Sequence, residues 1–313
     1  MSIFDAVIQG IIQGATEFLP ISSSGHLSIS QHIFGIELPG ILFDVMLHLG
    51  TLIAVIFVYR NLVWRLILEF ISLCKDVFRR QFRWSEMNQD RRLLMMLFIG
   101  LLPLFLLFLP IPGTGMKVKD FSELLASDKE IVAEGLALLA TSALLFLGIR
   151  ANRKTTQKMV RNKAGEEVPS KGRRKIHTVD AVCIGVTQCL AAVFPGLSRS
   201  GSTLSVGLLR GINRQTALDY SFVLGIPSIA AAALVSLLDV GDSTEVIGAP
   251  ALIVGVITAA VVGFLAIKLL RWIVTTNKLE IFAYYALIVG GVVTILGVIE
   301  HILGYNLFTG LPL

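Results

Sequence analysis

Six apolar runs, 41–59, 93–109, 131–149, 217–238, 251–270 and 281–302, have about the length of roughly 20 residues that a helix needs to cross a bilayer core. A chain of 313 residues with that many such runs has too little polar surface left to cover them in water. In lipid every backbone N–H and C=O must be satisfied within the protein, which restricts spanning segments to helices or closed barrels. Runs of this length predict an all-α polytopic membrane protein. Composition agrees, with 54% hydrophobic residues, 16% charged residues and a mean hydropathy of +0.77. The first segment carries Asp5 where a secretory signal would carry basic residues, so it is expected to remain in the mature protein. Three cysteines, Cys74, Cys183 and Cys189, have no metal-ligand spacing and are expected to be packing residues.

Charge placement predicts orientation, because basic loops tend to remain cytoplasmic. Residues 150–175 hold ten Lys/Arg against Glu166 and Glu167, and residues 60–92 hold eight; both are assigned to the cytoplasm. Asp239, Asp242 and Glu245 lie in a loop without a base, and residues 110–130 are of mixed charge; both are assigned to the outside. Beside six spans the basic loops read as orientation signals, so no nucleic-acid partner is expected. Residues 62–82 alternate apolar and charged residues at helical spacing, with Arg65 and Glu69 four apart. They predict an amphipathic helix on the cytoplasmic surface.

The chain repeats itself. Asp5, Ala6, Val7, Gly10, Gln13 and Pro20 recur 175 residues later as Asp180, Ala181, Val182, Gly185, Gln188 and Pro195. After a one-residue insertion, Ser22, Ser24, Gly25, Gly35 and Ile36 match Ser198, Ser200, Gly201, Gly211 and Ile212; Asp44, Leu49 and Gly50 then match Asp219, Leu224 and Gly225. Each half holds one hydrophobic segment broken by Pro and a Ser/Gly cluster, residues 3–35 and 178–211, followed by three spans. Irregular backbone at membrane depth survives only where protein buries it or a wet cavity adjoins it, which suits re-entrant hairpins. A hairpin returns to its own side, so three spans per half leave the second half inverted. The expected organisation is a first repeat over 1–150, a basic cytoplasmic linker over 151–176 and a second repeat over 177–313. Both termini fall outside, and the two breaks meet where inverted-repeat proteins place their sites.

The breaks carry the chemistry. The first, in "TEFLPISSSGHLS", restarts a helix after Pro20, so Ser22, Ser23, Ser24 and Gly25 present first-turn amides and hydroxyls of the kind that bind anions. The second, "PGLSRSGST", repeats the hydroxyls with Ser198, Ser200, Gly201 and Thr203 and adds Arg199, whose planar fork matches phosphate oxygens. Together they describe a phosphate cradle. Glu17, Ser23 and His26 correspond to Ala192, Arg199 and Ser202 in the second half. Acid, nucleophile and base candidates thus sit on one side and positive charge on the other, as phosphoryl transfer requires. Gln13 and Glu17, four apart, would hold a divalent cation or orient a water. Helix breaks also use serines purely as caps, but three ionisable groups at membrane depth are costly without a function. Asp44 and His48 share a helix face, as support for the site or as a cap with a packed histidine; Glu134, Glu300 and His301 fall near span ends, where interfacial placement is expected.

"QGATEFLPISSSGHL" and "PGLSRSGST" resemble the two signature motifs of the undecaprenyl-diphosphate phosphatase family, the bacitracin-resistance type of integral membrane enzyme, and the resemblance runs along nearly the whole chain. It implies hydrolysis of a polyprenyl diphosphate to the monophosphate and inorganic phosphate, recycling the lipid carrier of cell-wall glycan synthesis. It also implies an inner-membrane location, an active site open to the outer face, a divalent cation such as Mg or Ca, and pairing into a homodimer as one arrangement open to the chain. By position it assigns function to Glu17, Ser23, His26, Ser198, Arg199, Ser200 and Thr203. Some members carry Glu where this chain has Gln13, so a two-carboxylate cation site is not expected here. Three nucleophiles fit: Ser23, His26 or a metal-bound water; the favoured arrangement has Ser23 attacking and His26 accepting its proton. The type 2 phosphatidic acid phosphatases need an Arg-Pro pair, which none of the ten prolines provides. The competing reading is a polyprenyl-phosphate flippase that uses the same cradle.

Overall fold

A computed structural model describes residues 2–35, 40–126, 130–161, 167–239 and 248–312. Ile36, Glu166, Asp242 and Glu245, on which parts of the repeat and topology reading rest, lie outside the described residues. Helices α1 (Ile3–Phe18) and α2 (Ser23–Phe34) flank the first break, and α8 (Thr178–Val193) and α9 (Arg199–Leu209) flank the second. Between them run α3 (Gly40–Val58), α4 (Arg60–Phe78), α5 (Gln89–Leu101), α6 (Val118–Ala126) and α7 (Val132–Gln157); α10 (Arg214–Asp239), α11 (Ala249–Thr275) and α12 (Glu280–Leu303) complete the chain. A two-stranded antiparallel ribbon, β1 (Met159–Arg161) with β2 (Glu167–Pro169), is a small departure from the all-helical expectation.

Among the described residues five helical segments are long and apolar enough to cross a membrane: Gln89–Phe108, Val132–Gln157, Arg214–Leu238, Ala249–Thr275 and Glu280–Leu303. The expected sixth, 41–59, is α3, which meets α4 at a bend of 88° after Tyr59. Inside Gln89–Phe108, α5 gives way to a 3₁₀ segment over Leu102–Phe108, where Pro103 lacks the N–H an α-helix would use. Along α11, Ile253, Ile257, Val261, Leu265 and Leu269, one per turn, are exposed. In water such a stripe would be a liability; it is the surface a lipid-facing helix presents.

Helix α4 forms over the expected stretch, and its Arg65 and Glu69 each find a partner on α5. Arg65 donates to Asp90 (2.9 Å), while Arg91 donates to Glu69 (3.0 Å), Asp76 (2.6 Å) and Ser72 (2.7 Å). Arg91 can engage three acceptors only because its fork reaches across to a neighbouring helix, so the charges clamp the start of α5 to α4. At the α3–α4 corner, the Tyr59 hydroxyl donates to Asp219 (2.6 Å) on α10.

The two broken segments pack in a reciprocal pattern. Helix α1 lies against α11 and α8 against α5, and the repeat-matched Gly10 and Gly185 are the contact points. A Cβ at Gly10 would stand 2.8 Å from the Gly255 carbonyl oxygen, and one at Gly185 would stand 2.3 Å from that of Gly100, so only a hydrogen fits. The matched helices α7 and α12, and α3 and α10, also pack on one another. Two acidic groups expected at the interface are buried: Glu134, 5% exposed, accepts from Ser28 (2.9 Å), and Glu300, 1% exposed, accepts from His32 (2.7 Å) and the Leu307 amide (2.8 Å). Cys189 is buried as a packing residue, but Cys74 lies on the exposed side of α4.

Candidate active site

The helix starts of α2 and α9 meet. Both are capped alike: Ser22 Oγ accepts from the Gly25 amide (3.2 Å) and Ser198 Oγ from the Gly201 amide (3.1 Å), each satisfying a donor that the first turn leaves open. Each start then touches the other break. The Gly196 amide donates to Ser24 Oγ (3.4 Å), and Ser200 Oγ donates to the Leu19 carbonyl (3.1 Å). Gly25 and Gly201 lie at this contact, where a Cβ would come within 3.3 Å of Gly196 Cα and 3.2 Å of the Pro20 carbonyl. They make room for the opposite break.

One cap is strained. Ser22 has φ 74° and ψ 110°, a region that L-residues seldom occupy and that costs of order 1–3 kcal/mol. Its counterpart Ser198 has an ordinary φ of −65°. The Ser22 carbonyl is held by the His26 amide (3.3 Å) and by His26 Nδ1 (2.8 Å), whose proton makes that contact a donated bond. With Nδ1 protonated, a neutral ring accepts at Nε2, and the Tyr285 hydroxyl stands 2.8 Å away as the donor.

Beside the joined starts lies a cavity of about 390 Å³, lined on its polar side by Glu17, Ser22, Ser23, Ser24, His48, Gln188, Ser198, Arg199 and Ser200. Its other walls are mostly apolar, from Leu104, Leu107 and Phe108 of the 3₁₀ segment and Ile229, Ala232 and Val235 of α10, with Lys119 of α6 and Ser228 and Ser236 of α10 also in the lining. Glu17, with a side chain 5% exposed, is the hub. Its Oε1 accepts from Arg199 (2.6 Å), and its Oε2 accepts from Ser23 (2.7 Å) and from Gln13 Nε2 (3.1 Å). His48 Nε2 stands 3.8 Å from Glu17 Oε2, and His48 Nδ1 donates to the Asp44 carbonyl (2.9 Å). The pair whose role the sequence left open thus stands beside the site.

Two expectations do not match this geometry. His26 is absent from the cavity lining and makes no bond to Ser23, whose hydroxyl donates to Glu17 instead. Three-residue spacing puts two side chains within reach of one another on a helix, but Ser23 is the first helical residue and turns toward α1, while the His26 ring folds back onto Ser22. Thr203 is likewise turned away: it is 1% exposed, and its hydroxyl shares a 2.6 Å bond with Ser221 and donates to the Arg199 carbonyl (2.8 Å). Thr141, Ser221, Tyr285 and Gly225 were not singled out by sequence. Thr141 Oγ1 accepts the Ser198 amide (3.1 Å), and the others meet Thr203, His26 and Arg199. They sit in ordinary apolar spans, and only Gly225 carried a signal, as the repeat partner of Gly50.

Hard oxygens lie around Glu17, but its carboxylate already accepts from Arg199, Ser23 and Gln13 Nε2, so a divalent cation would have to displace those donors. A carboxylate, the Ser23 hydroxyl and Gln13 Oε1, which is buried and without a hydrogen-bond partner among the described residues, are hard oxygen donors of the kind Mg or Ca takes. No group of three or more His, Cys, Asp and Glu assembles among the described residues, so water and substrate oxygens would complete the shell.

The profile of a family described as bacitracin resistance protein BacA matches residues 6–292. A protein of Methanosphaera stadtmanae named undecaprenyl-diphosphatase is 36% identical over 306 residues, covering 96% of this chain and 99% of its own length. One of Syntrophotalea carbinolica with the same name is 36% identical, covering 93% and 97%. A Bacillus thuringiensis protein named undecaprenyl-diphosphatase 4 is 35% identical, covering 91% and 93%.

Proposed function

The chain belongs to the bacitracin resistance protein BacA family, and from that premise we propose that its Glu17–Ser23–Arg199 site carries out the hydrolysis of undecaprenyl diphosphate to the monophosphate and inorganic phosphate. The observation that carries this assignment is the pair of bonds on one carboxylate: Ser23 at 2.7 Å on Oε2 and Arg199 at 2.6 Å on Oε1, at the polar wall of a cavity with apolar flanks. A diphosphate head group suits the polar wall and a prenyl chain the apolar flanks.

Ser23 Oγ attacks the terminal phosphorus as Glu17 Oε2 takes its proton; the Oγ–P bond forms, the anhydride P–O bond breaks and polyprenyl monophosphate leaves. Water then attacks the same phosphorus, the Oγ–P bond breaks to release phosphate carrying the water's protons, and Glu17 returns its proton to Ser23 Oγ. Arg199 and the first-turn amides of α2 and α9 hold the charge on the transferring group. His26 acts one step back: through the Ser22 carbonyl it maintains the strained break that aims Ser23 at Glu17. A divalent cation held by Glu17, Ser23 and Gln13 would supply further neutralisation of diphosphate charge.

The site belongs to a multi-pass membrane protein with its termini outside, its cavity opening to the outer face of the inner membrane and the two halves inverted. The reciprocal packing of α1 on α11 and α8 on α5 supports the relation between the two halves, and the basic loops over 60–92 and 150–175 support the sidedness. Pure protein in detergent, where no second compartment exists, should release phosphate from undecaprenyl diphosphate, and Glu17→Gln should lower that release by orders of magnitude while folding is retained. No release by the unaltered protein would favour transport of the lipid over hydrolysis.

A further inference from the structure

Gln188 lines the cavity and is 1% exposed, yet neither its Nε2 nor its Oε1 has a hydrogen-bond partner among the described residues. A buried amide without partners carries an uncompensated desolvation cost, and an apolar side chain of the same shape would carry none. The repeat accounts for the unpartnered amide. Gln13, its counterpart, donates to Glu17 four residues on; four residues after Gln188 the chain has Ala192, which also lines the cavity. The second half thus keeps the amide and lacks the carboxylate that would occupy it.

We propose that Gln188 is a substrate-binding residue whose amide donates to an oxygen of the lipid diphosphate. The inference rests on the hydrolase reading for its substrate. A diphosphate is rich in acceptors and brings what the amide lacks, and a hydrogen bond to an ionised oxygen is stronger than a neutral one. The neutral amide adds a directed donor to the cavity that holds Arg199 without adding charge that would compete for Glu17.

Gln188→Leu and Gln188→Met separate binding from packing, because both remove the amide while keeping similar bulk. If the amide binds substrate, kcat/KM for phosphate release should fall about 10- to 100-fold. The Kd for methylene diphosphonate, a non-hydrolysable mimic of the head group, should rise by at least about tenfold, with an unfolding midpoint unchanged or higher. Folded variants with unchanged kcat/KM and unchanged Kd would overturn the proposal, as would failure of both variants to fold, which would make the amide a packing element. The diphosphonate measurement is independent of turnover: if the unaltered protein released no phosphate but bound diphosphonate in a Gln188-dependent way, the hydrolase reading would fall and the role of Gln188 as an anion ligand would stand.

Discussion

Gly50 and Gly225 occupy the same position in the two halves, and adding one methyl group to each should damage different properties. An alanine Cβ at position 225 on α10 would stand 2.2 Å from the nearer terminal nitrogen of Arg199 and 3.0 Å from its central guanidinium carbon. Ordinary contact lies near 3.5 Å, so the guanidinium must retreat by roughly 1 Å. That motion is cheap in stability, because the displaced atoms end a flexible side chain and Gly→Ala inside a helix returns about 1 kcal/mol. It is costly for chemistry, because the same guanidinium donates to Glu17 at 2.6 Å and a misplacement of about 1 Å can lower a rate about 10²-fold. At Gly50 the new Cβ would stand 2.6 Å from the Val256 carbonyl oxygen and 3.1 Å from Ala259 Cβ. Both lie on α11 and neither can swing aside, so α3 and α11 must separate, an overpacking cost of about 1–3 kcal/mol. Purified variants would be compared by phosphate release from lipid diphosphate and by unfolding midpoint. Gly225→Ala should lose about 10²-fold in kcat/KM with its midpoint nearly unchanged; Gly50→Ala should lose stability but keep activity per folded molecule. Wild-type kcat/KM in Gly225→Ala would refute the argument that Arg199 works from its observed position.

Ser22→Gly should equal or exceed the parent in stability, because glycine removes the strain of φ 74° while a capping serine loses only a few tenths of a kcal/mol to glycine; Ser22→Ala keeps the strain, loses the cap and should cost about 1 kcal/mol. The order of their unfolding midpoints measures the strain against the cap. Glu300→Ala removes the acceptor of both His32 and the Leu307 amide and should destabilise by about 3 kcal/mol, seen in denaturant unfolding, with kcat/KM per folded molecule retained. For topology, Lys117→Cys and Lys158→Cys, both at exposed positions, in a background with Cys74, Cys183 and Cys189 changed to Ser, should react with an impermeant reagent from opposite sides of the membrane. Same-side labelling would contradict the inverted arrangement.

The helices, the breaks and the caps could be read from sequence because their causes are local. A run of apolar residues is either long enough to cross lipid or it is not, Pro20 and Pro195 interrupt a helix wherever it lies, and Ser22 and Ser198 cap through an amide three residues away. The repeat added long-range information by aligning the two breaks, and their contact through Ser24 and Ser200 follows from it. Tertiary structure alone decided which way the side chains turn. In a soluble helix the polar face shows which side is buried, but in a membrane protein the core and the lipid are both apolar, so periodicity does not distinguish them. That is why position near a span end did not show that Glu134 and Glu300 are buried in protein, and why the spacing of α4 did not show that Arg65 meets Asp90. Spacing placed His26 near Ser23 without deciding that one ring would close on Ser22 and Tyr285 while the other side chain met Glu17. The carboxylate at the hub has its arginine 182 residues away, a distance that only the packing of the two halves closes.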